Sequence, residues 1–319
     1  MTRPDAYVPV AITTRSGFDE SLHFGMAVGL APGGDVAFAW GDPQALIYPR
    51  SSNKPMQAVA MLRAGLRVPE RQLALVCASH DGTPMHLELA RDILAGVGLD
   101  EHDLANTPDL PLDTSAAEQV LRDGGGRTSL QQNCSGKHAG MLATCVANGW
   151  AHDASYLDRE HPLQVGITDV LGELAGETPA HIGVDGCGAP AHVISLVGLA
   201  RAFRSIATGA AGDAGLAVHR AMSTHPEVVS GVACEATTLV QSAPGLMLKE
   251  GAEGVFALAL PDGRAVAGKL ADGRDRARPA LMVAALQQLG VSLGDAADAV
   301  RQVILGHGEV VGEVRAIVP

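Results

Sequence analysis

Aromatic residues are scarce in this sequence, at 3% of 319 positions, while glycine alone accounts for 38. That excludes a core built on Phe, Tyr and Trp. It predicts helices packed closely on small side chains. Basic runs are absent, and 35 Asp and Glu against 23 Lys and Arg leave a formal net charge of -12. Nucleic acid and anionic membrane are therefore not expected as partners. No apolar stretch reaches the roughly 18–20 residues a membrane span needs. Met1 to Thr14 lacks the basic and then apolar organisation of a signal peptide. The expectation is a soluble cytoplasmic protein. Five cysteines form a set too sparse and too odd for a disulfide framework, so reduced thiols are expected, free for chemistry or metal.

What is present is globular: 47% hydrophobic and 18% charged, long enough for one sizeable core. Short apolar runs at Val8–Thr14, His23–Leu30 and Asp35–Trp40 are split by Ser16-Gly17 and Pro32-Gly33-Gly34, which predicts an antiparallel meander. A helical middle follows, including Met85–Val97, a helix capped by Thr114 or Ser115, one from Asn133 to Ala147, Pro162–Ala175 and Ala191–Ala207. A short strand is expected at Ile182–Val184. Strand texture returns at Thr237–Gln241, Leu246–Lys249, Val255–Leu260 and Ala265–Leu270. Helices over Arg276–Gln288 and Asp295–Ile304 and a last strand over Glu309–Ile317 close the chain. This reads as one α+β domain over residues 1–319. Strands from 1–50 and 226–319 would share an antiparallel sheet with flanking helices, and 51–225 would form a helical lobe beside it.

Several segments carry candidate chemistry. In Arg50-Ser51-Ser52-Asn53-Lys54-Pro55, Ser51 and Lys54 stand three apart at a helix start, on one face. A neutral lysine can take a serine proton if burial or a second cation lowers its pKa. The alternative is a capping serine beside a surface lysine. Ser79 precedes His80 at the end of an apolar run. In Lys249-Glu250-Gly251 the glycine leaves room for close approach of a ligand. Cys134 and Lys137, three apart at a helix start, and Cys187 in a glycine-flanked turn could hold a metal through thiolates, against the alternative of inert buried cysteines. Asp185, before Gly186, suits either an Asx turn or a ligand contact. Cys77, Cys145 and Cys234 read as core.

Ser-x-x-Lys, a serine from the lobe and Lys-x-Gly on a strand, in that order, form the pattern of serine penicillin-recognising enzymes. Together with Asn133-Cys134-Ser135-Gly136-Lys137-His138, Asp185-Gly186-Cys187 and His225-Pro226-Glu227, the chain resembles, nearly end to end, the bacterial L-asparaginases of serine β-lactamase-like fold, the metal-binding, class 3 type. The resemblance implies two Ser–Lys pairs, Ser51 with Lys54 and Ser79 with Lys249, in one cleft. It implies zinc on Cys134, Lys137 and Cys187, with Arg50, Asp185 and His138 at the substrate. It implies hydrolysis of L-asparagine to L-aspartate and ammonia by a homodimer. Lys269, which also ends a strand, is the second candidate for the partner of Ser79.

One departure stands out. Where the resembled family has an arginine after the His-Pro segment, this chain has Cys234 nearby. A cysteine cannot pair bidentately with a carboxylate, which puts substrate identity in question. The rival readings are a glutaminase or other serine amidase or esterase, a thiol hydrolase using Cys134, and a non-enzymatic metal or small-molecule binder.

Overall fold

A computed structural model describes residues 3–318. Eleven strands are present among them: β1 (Val8–Arg15), β2 (Phe18–Leu30), β3 (Val36–Trp40), β4 (Leu46–Ile47), β5 (His181–Val184), β6 (Pro190–Ser195), β7 (Met247–Gly251), β8 (Val255–Ala259), β9 (Ala265–Leu270), β10 (Val303–Gly306) and β11 (Glu309–Ala316). Eight form one sheet in the order β10-β11-β1-β2-β9-β8-β7, with β3 also on β2, and every pairing is antiparallel. The expected meander is β1–β2–β3, and both chain ends meet where β1 pairs β11, Ala11 opposite Ala316. Strands β4, β6 and β5 make a second, small sheet.

The helices are α1 (Lys54–Arg63), α2 (Glu70–Val76), α3 (Pro84–Ala95), α4 (Thr114–Arg122), α5 (Ser135–Asn148), α6 (Pro162–Ala175), α7 (Leu196–Ala207), α8 (Gly212–Thr224), α9 (Pro226–Ser230), α10 (Glu235–Ser242), α11 (Arg278–Gln288) and α12 (Ala296–Ala299). The α+β layout expected from the sequence is the one observed, with the lobe helices α1–α9 lying between the two groups of sheet strands.

The sheet is covered on both faces, which explains why β8 is buried at all five positions instead of alternating. Val255, Ala257 and Ala259 face a cluster shared with α7, including Leu199 and Phe203. Phe256 and Leu258 face the opposite cluster, with Leu281 and Leu286 of α11. Phe203 is fully buried, and its truncation to alanine would cost about 3–5 kcal/mol.

Three expectations fail locally. Thr237–Gln241 is helix α10, not a strand. Ala236, Leu239, Val240 and Ala243 recur at helical spacing and are all buried in the α11-side cluster, and that burial overrides the β-propensity of the Thr-Thr and Val positions. Ala191–Ser195 is the buried strand β6. Its helix begins only at Leu196, where Ser195 Oγ accepts from the Gly198 N–H at 2.9 Å and caps it. Asp295–Ile304 holds only the single turn α12 before the chain enters the β10–β11 hairpin. A smaller adjustment concerns α4, which is capped by Asp113 through the Ala116 N–H at 2.7 Å, not by Thr114 or Ser115.

Candidate active site

The chain contains only four lysines, at 54, 137, 249 and 269, so nearly all of its surface cations are arginines. Lys54, Lys137 and Lys249 are each no more than 2% exposed. Lysine is almost never fully buried unless paired, so three of four buried marks a site. Those are the three lysines with sequence-predicted roles. The fourth, Lys269, is part-exposed and donates to the Glu253 carbonyl at 2.8 Å. It lines a different cavity, with Arg50, Tyr48 and Glu253.

The Ser51 turn is a short 3-10 segment, Arg50–Asn53, that leads into α1 with Pro55 in its first turn. Arg50 adopts φ +52°, a left-handed conformation costly for a side chain with a Cβ. That kink sets Ser51 on the wall of a cleft of about 300 Å³, which it shares with Ser79, Lys249, Asp81, Cys234 and Arg278. Ser52 Oγ donates to the Lys249 carbonyl at 3.0 Å and ties the turn to β7. Gly251, which lines the same cleft, also lets this turn approach β7 closely. A Cβ on Gly251 would lie 2.5 Å from the Pro49 carbonyl oxygen and 2.9 Å from Ser52 Oγ.

The four expected catalytic residues lie together, but neither expected Ser–Lys pair is hydrogen-bonded. Lys54 Nζ donates to Ser79 Oγ at 3.1 Å and to the Ala78 carbonyl. Lys249 Nζ donates to the Glu250 carbonyl at 2.8 Å. Burial, helped by the nearby Lys54 cation, pulls the Lys249 ammonium down to about 7. An amine in that position is neutral in an appreciable fraction of molecules at neutral pH. His80, beside Ser79, is structural. It is buried, its Nδ1 accepts from the Gly82 N–H at 3.1 Å, and its Nε2 pairs with Ser135 Oγ at 2.8 Å. Burial holds it well below the usual histidine range.

Cys134, Lys137 and Cys187 also meet. Both thiols are buried, and Lys137 Nζ lies 3.0 Å from Cys187 Sγ. A hydrogen bond from the Cys134 thiol and the Lys137 cation, against the opposing effect of burial, bring Cys187 down to about 5. The same hydrogen bond with Cys187, with burial, pushes Cys134 up to about 12. Behind them His138 is fully buried, pairs through Nδ1 with the Tyr156 hydroxyl at 2.7 Å, and leaves Nε2 with no hydrogen-bond partner. Two sulfurs and an amine are a donor set that suits a soft divalent metal.

Arg50 and Asp185 pair with each other at 2.9 Å. Asp185 Oδ1 also accepts the Gly186 N–H at 2.8 Å, one residue on and not the two residues of an Asx turn. Burial would raise the Asp185 carboxyl, but Lys137 and Arg50 prevail and hold it below the usual range. This pair links the Ser51 turn to the Cys187 loop. Neither Arg50, Asp185 nor His138 lines the Ser51 cleft. Asp81 and Arg278 do line it, and sequence reasoning missed both. Asp81 was legible as the residue after Ser79-His80. Arg278, at the first position of α11, carried no local signal.

The sequence matches the L-asparaginase II family over residues 11–316. The chain belongs to that family. Among solved structures it is similar to Mglu in its glutamate form, at 16% identity and TM-score 0.43, with 79% of this chain and 56% of that chain covered. The L-asparaginase II chain thus spans little more than half the length of that neighbour. It is also similar to a beta-lactamase from Mycobacterium bovis, at 16% identity and TM-score 0.38, covering 83% and 94% of the two chains. A third likeness is to EstCE1, a hydrolase with promiscuous acyltransferase activity, at 12% identity and TM-score 0.43, covering 83% and 93%. Likeness at this level is similarity of outline and says nothing about chemistry. A search of curated proteins found no match. No helix among the described residues is long and apolar enough to cross a membrane.

Proposed function

We propose that this member of the L-asparaginase II family hydrolyses the side-chain amide of L-asparagine, giving L-aspartate and ammonia, with Ser51 as nucleophile. The observation that carries the reading is the single cleft holding Ser51, Ser79 and Lys249, with Lys54 bonded to Ser79 behind it. Neutral Lys249 takes the Ser51 hydroxyl proton as Oγ attacks the amide carbon. The Ser51 backbone N–H, left free by the turn while those of Ser52 and Lys54 bond to Pro49 and Ser51 carbonyls, would stabilise the developing oxyanion. The Ser51 proton passes from Lys249 through the Lys54–Ser79 pair to the leaving nitrogen, the C–N bond breaks and ammonia departs, leaving Lys249 neutral again. Water then attacks the Ser51 ester, Lys249 takes its proton and returns it to Ser51 Oγ as the ester bond breaks, and aspartate is freed. This moves the base from Lys54, the expectation from spacing alone, to Lys249, because Lys54 is committed to Ser79 and Ala78.

Cys134, Lys137 and Cys187 are the residues that would hold zinc, with Lys137 deprotonated on binding. A bound zinc would supply fixed positive charge that tunes neighbouring pKa values. The Arg50–Asp185 pair relays the position of that loop to the Ser51 turn. Homodimerisation belongs to the same proposal and rests on the family resemblance.

A second reading makes Ser79 the nucleophile, favoured by its direct hydrogen bond to a buried lysine. The testing experiment is ammonia release from L-asparagine and L-glutamine alongside a chromogenic ester, on wild type and Ser51→Ala. Turnover of asparagine that is lost in Ser51→Ala supports the proposal. Near-normal turnover in that variant overturns the nucleophile assignment, and a preference for glutamine or ester overturns the substrate.

A further inference from the structure

The Ser51 cleft is walled on one side by charged groups that the proposed chemistry does not use. Arg278 enters from the first turn of α11, with its side chain 12% exposed. Its Nη2 lies 2.6 Å from Glu250 Oε1, and its Nη1 donates to Asp275 Oδ1 at 2.7 Å. The Glu250 contact falls outside hydrogen-bond angles, and Nε is buried with no acceptor. A guanidinium has five N–H donors in a planar fork that matches a carboxylate, so this one has capacity to spare. Glu250 is itself held from the other side by the Cys234 thiol, 3.2 Å from Oε2. Cys234 is the position where the sequence lacks the arginine of the resembled family. The cleft therefore has an arginine, delivered from a helix more than forty residues further along the chain.

Asp81 faces the same cleft. Its carboxylate accepts no hydrogen bond among the described residues. It packs against Gly231, where φ is +102° and an added Cβ would overlap Asp81 Oδ2. Burial, with Asp113 and Glu250 nearby, raises its carboxyl to about 6. An opposite charge brought into the cleft would relieve that crowding. The wall thus presents one cation whose Nε has no acceptor and one unpartnered carboxylate, lining the same cleft as two serines and a lysine.

We propose that Arg278 and Asp81 form a clamp for a zwitterionic head group, Arg278 binding the α-carboxylate and Asp81 the α-ammonium of a free amino acid. This rests on the amidase reading of the cleft and narrows it to free α-amino acid amides, excluding peptides and neutral esters. A volume of about 300 Å³ is at the small end of ligand pockets and fits one such molecule.

The test compares three amides on wild type, Arg278→Met and Asp81→Asn. L-asparagine carries both head groups, succinamate lacks the amine, and β-alaninamide lacks the carboxylate. Arg278→Met should lower kcat/KM on asparagine and succinamate by on the order of 100-fold, and on β-alaninamide far less. Asp81→Asn should show the crossed pattern, hitting asparagine and β-alaninamide but sparing succinamate. Arg278→Lys, which keeps the charge but loses the fork, should recover only part of the loss. Equal losses on all three amides would mean a merely structural role and overturn the clamp. Calorimetric titration with L-aspartate separates the two claims. If no amide is turned over but wild type binds aspartate and Arg278→Met does not, the clamp stands and the amidase reading falls. If β-alaninamide is cleaved as well as asparagine by every protein, or wild type binds no aspartate, the clamp falls.

Discussion

Lys54 Nζ lies 3.1 Å from Ser79 Oγ, although Ser51 is three residues away along the chain and Ser79 is twenty-five. Ser51 and Lys54 stand one 3-10 turn apart, with the Lys54 N–H bonded to the Ser51 carbonyl. The lysine side chain nonetheless bonds at the end of α2, where Ala78 and Ser79 receive it. The proposed proton path through Ser79 rests on this bond. Ser79→Ala should reduce ammonia release by roughly 100-fold or more, the usual scale for a lost proton-transfer group. A coupled ammonia assay checks it, and an unchanged melting temperature would show that the loss is chemical.

Lys249 makes the fold pH-sensitive in a defined sense. Its ammonium is held down to about 7 in the folded protein against an ordinary value of 10.5. Between those two values the unfolded chain binds more protons than the folded one, so this lysine makes the fold more stable as pH rises through that window. Below about 7 the penalty is complete. Lys249→Met should therefore stabilise the protein more at about pH 6 than at about pH 10, as read by urea unfolding. The same titration predicts that wild-type kcat/KM rises with pH through about 7, as the amine loses its proton.

The thiol pair predicts metal behaviour. Wild type dialysed against zinc should retain it and melt higher, by the linkage that gives about 2.7 kcal/mol at a hundredfold excess over Kd. Cys187→Ser removes the thiol already drawn down to about 5 and should abolish both retention and the shift. Metal content by elemental analysis and calorimetric melting are the two measurements.

Gly251 tests whether the Ser51 turn is held by β7. An alanine Cβ would sit 2.5 Å from the Pro49 carbonyl oxygen, so turn or strand must move. Overpacking of this kind costs about 1–3 kcal/mol. A displacement of the nucleophile by about 1 Å should cost on the order of 100-fold in kcat. Steady-state kinetics with circular-dichroism melting of Gly251→Ala reads both.

Much of the site was legible because its residues lie in short motifs: Ser51 with Lys54, Ser79, Cys134 with Lys137, Cys187 and Lys249. The layout was legible too, since terminal strands with strong turn signals had to share one sheet. A stronger signal went unused. With only four lysines in 319 residues, each is conspicuous, and three proved buried. What was not legible depends on distance in the chain. Arg278 and Asp81 join the cleft only through the ion pair of Arg278 with Glu250 of β7 and the packing of the Ser79 loop against Gly231. Helix α10 was misread because its β-branched residues hid a helical spacing of Ala236, Leu239, Val240 and Ala243 that only burial reveals. His138, expected at the substrate from the family resemblance, is buried and bonded to Tyr156.

The central claim is that Ser51 forms the ester with substrate. The most direct measurement is rapid acid quench of the protein turning over L-asparagine, followed by peptide mass spectrometry to locate the aspartyl adduct. The account predicts the adduct on the peptide carrying Ser51, with none in Ser51→Ala. An adduct on Ser79, the serine that Lys54 touches, would contradict it.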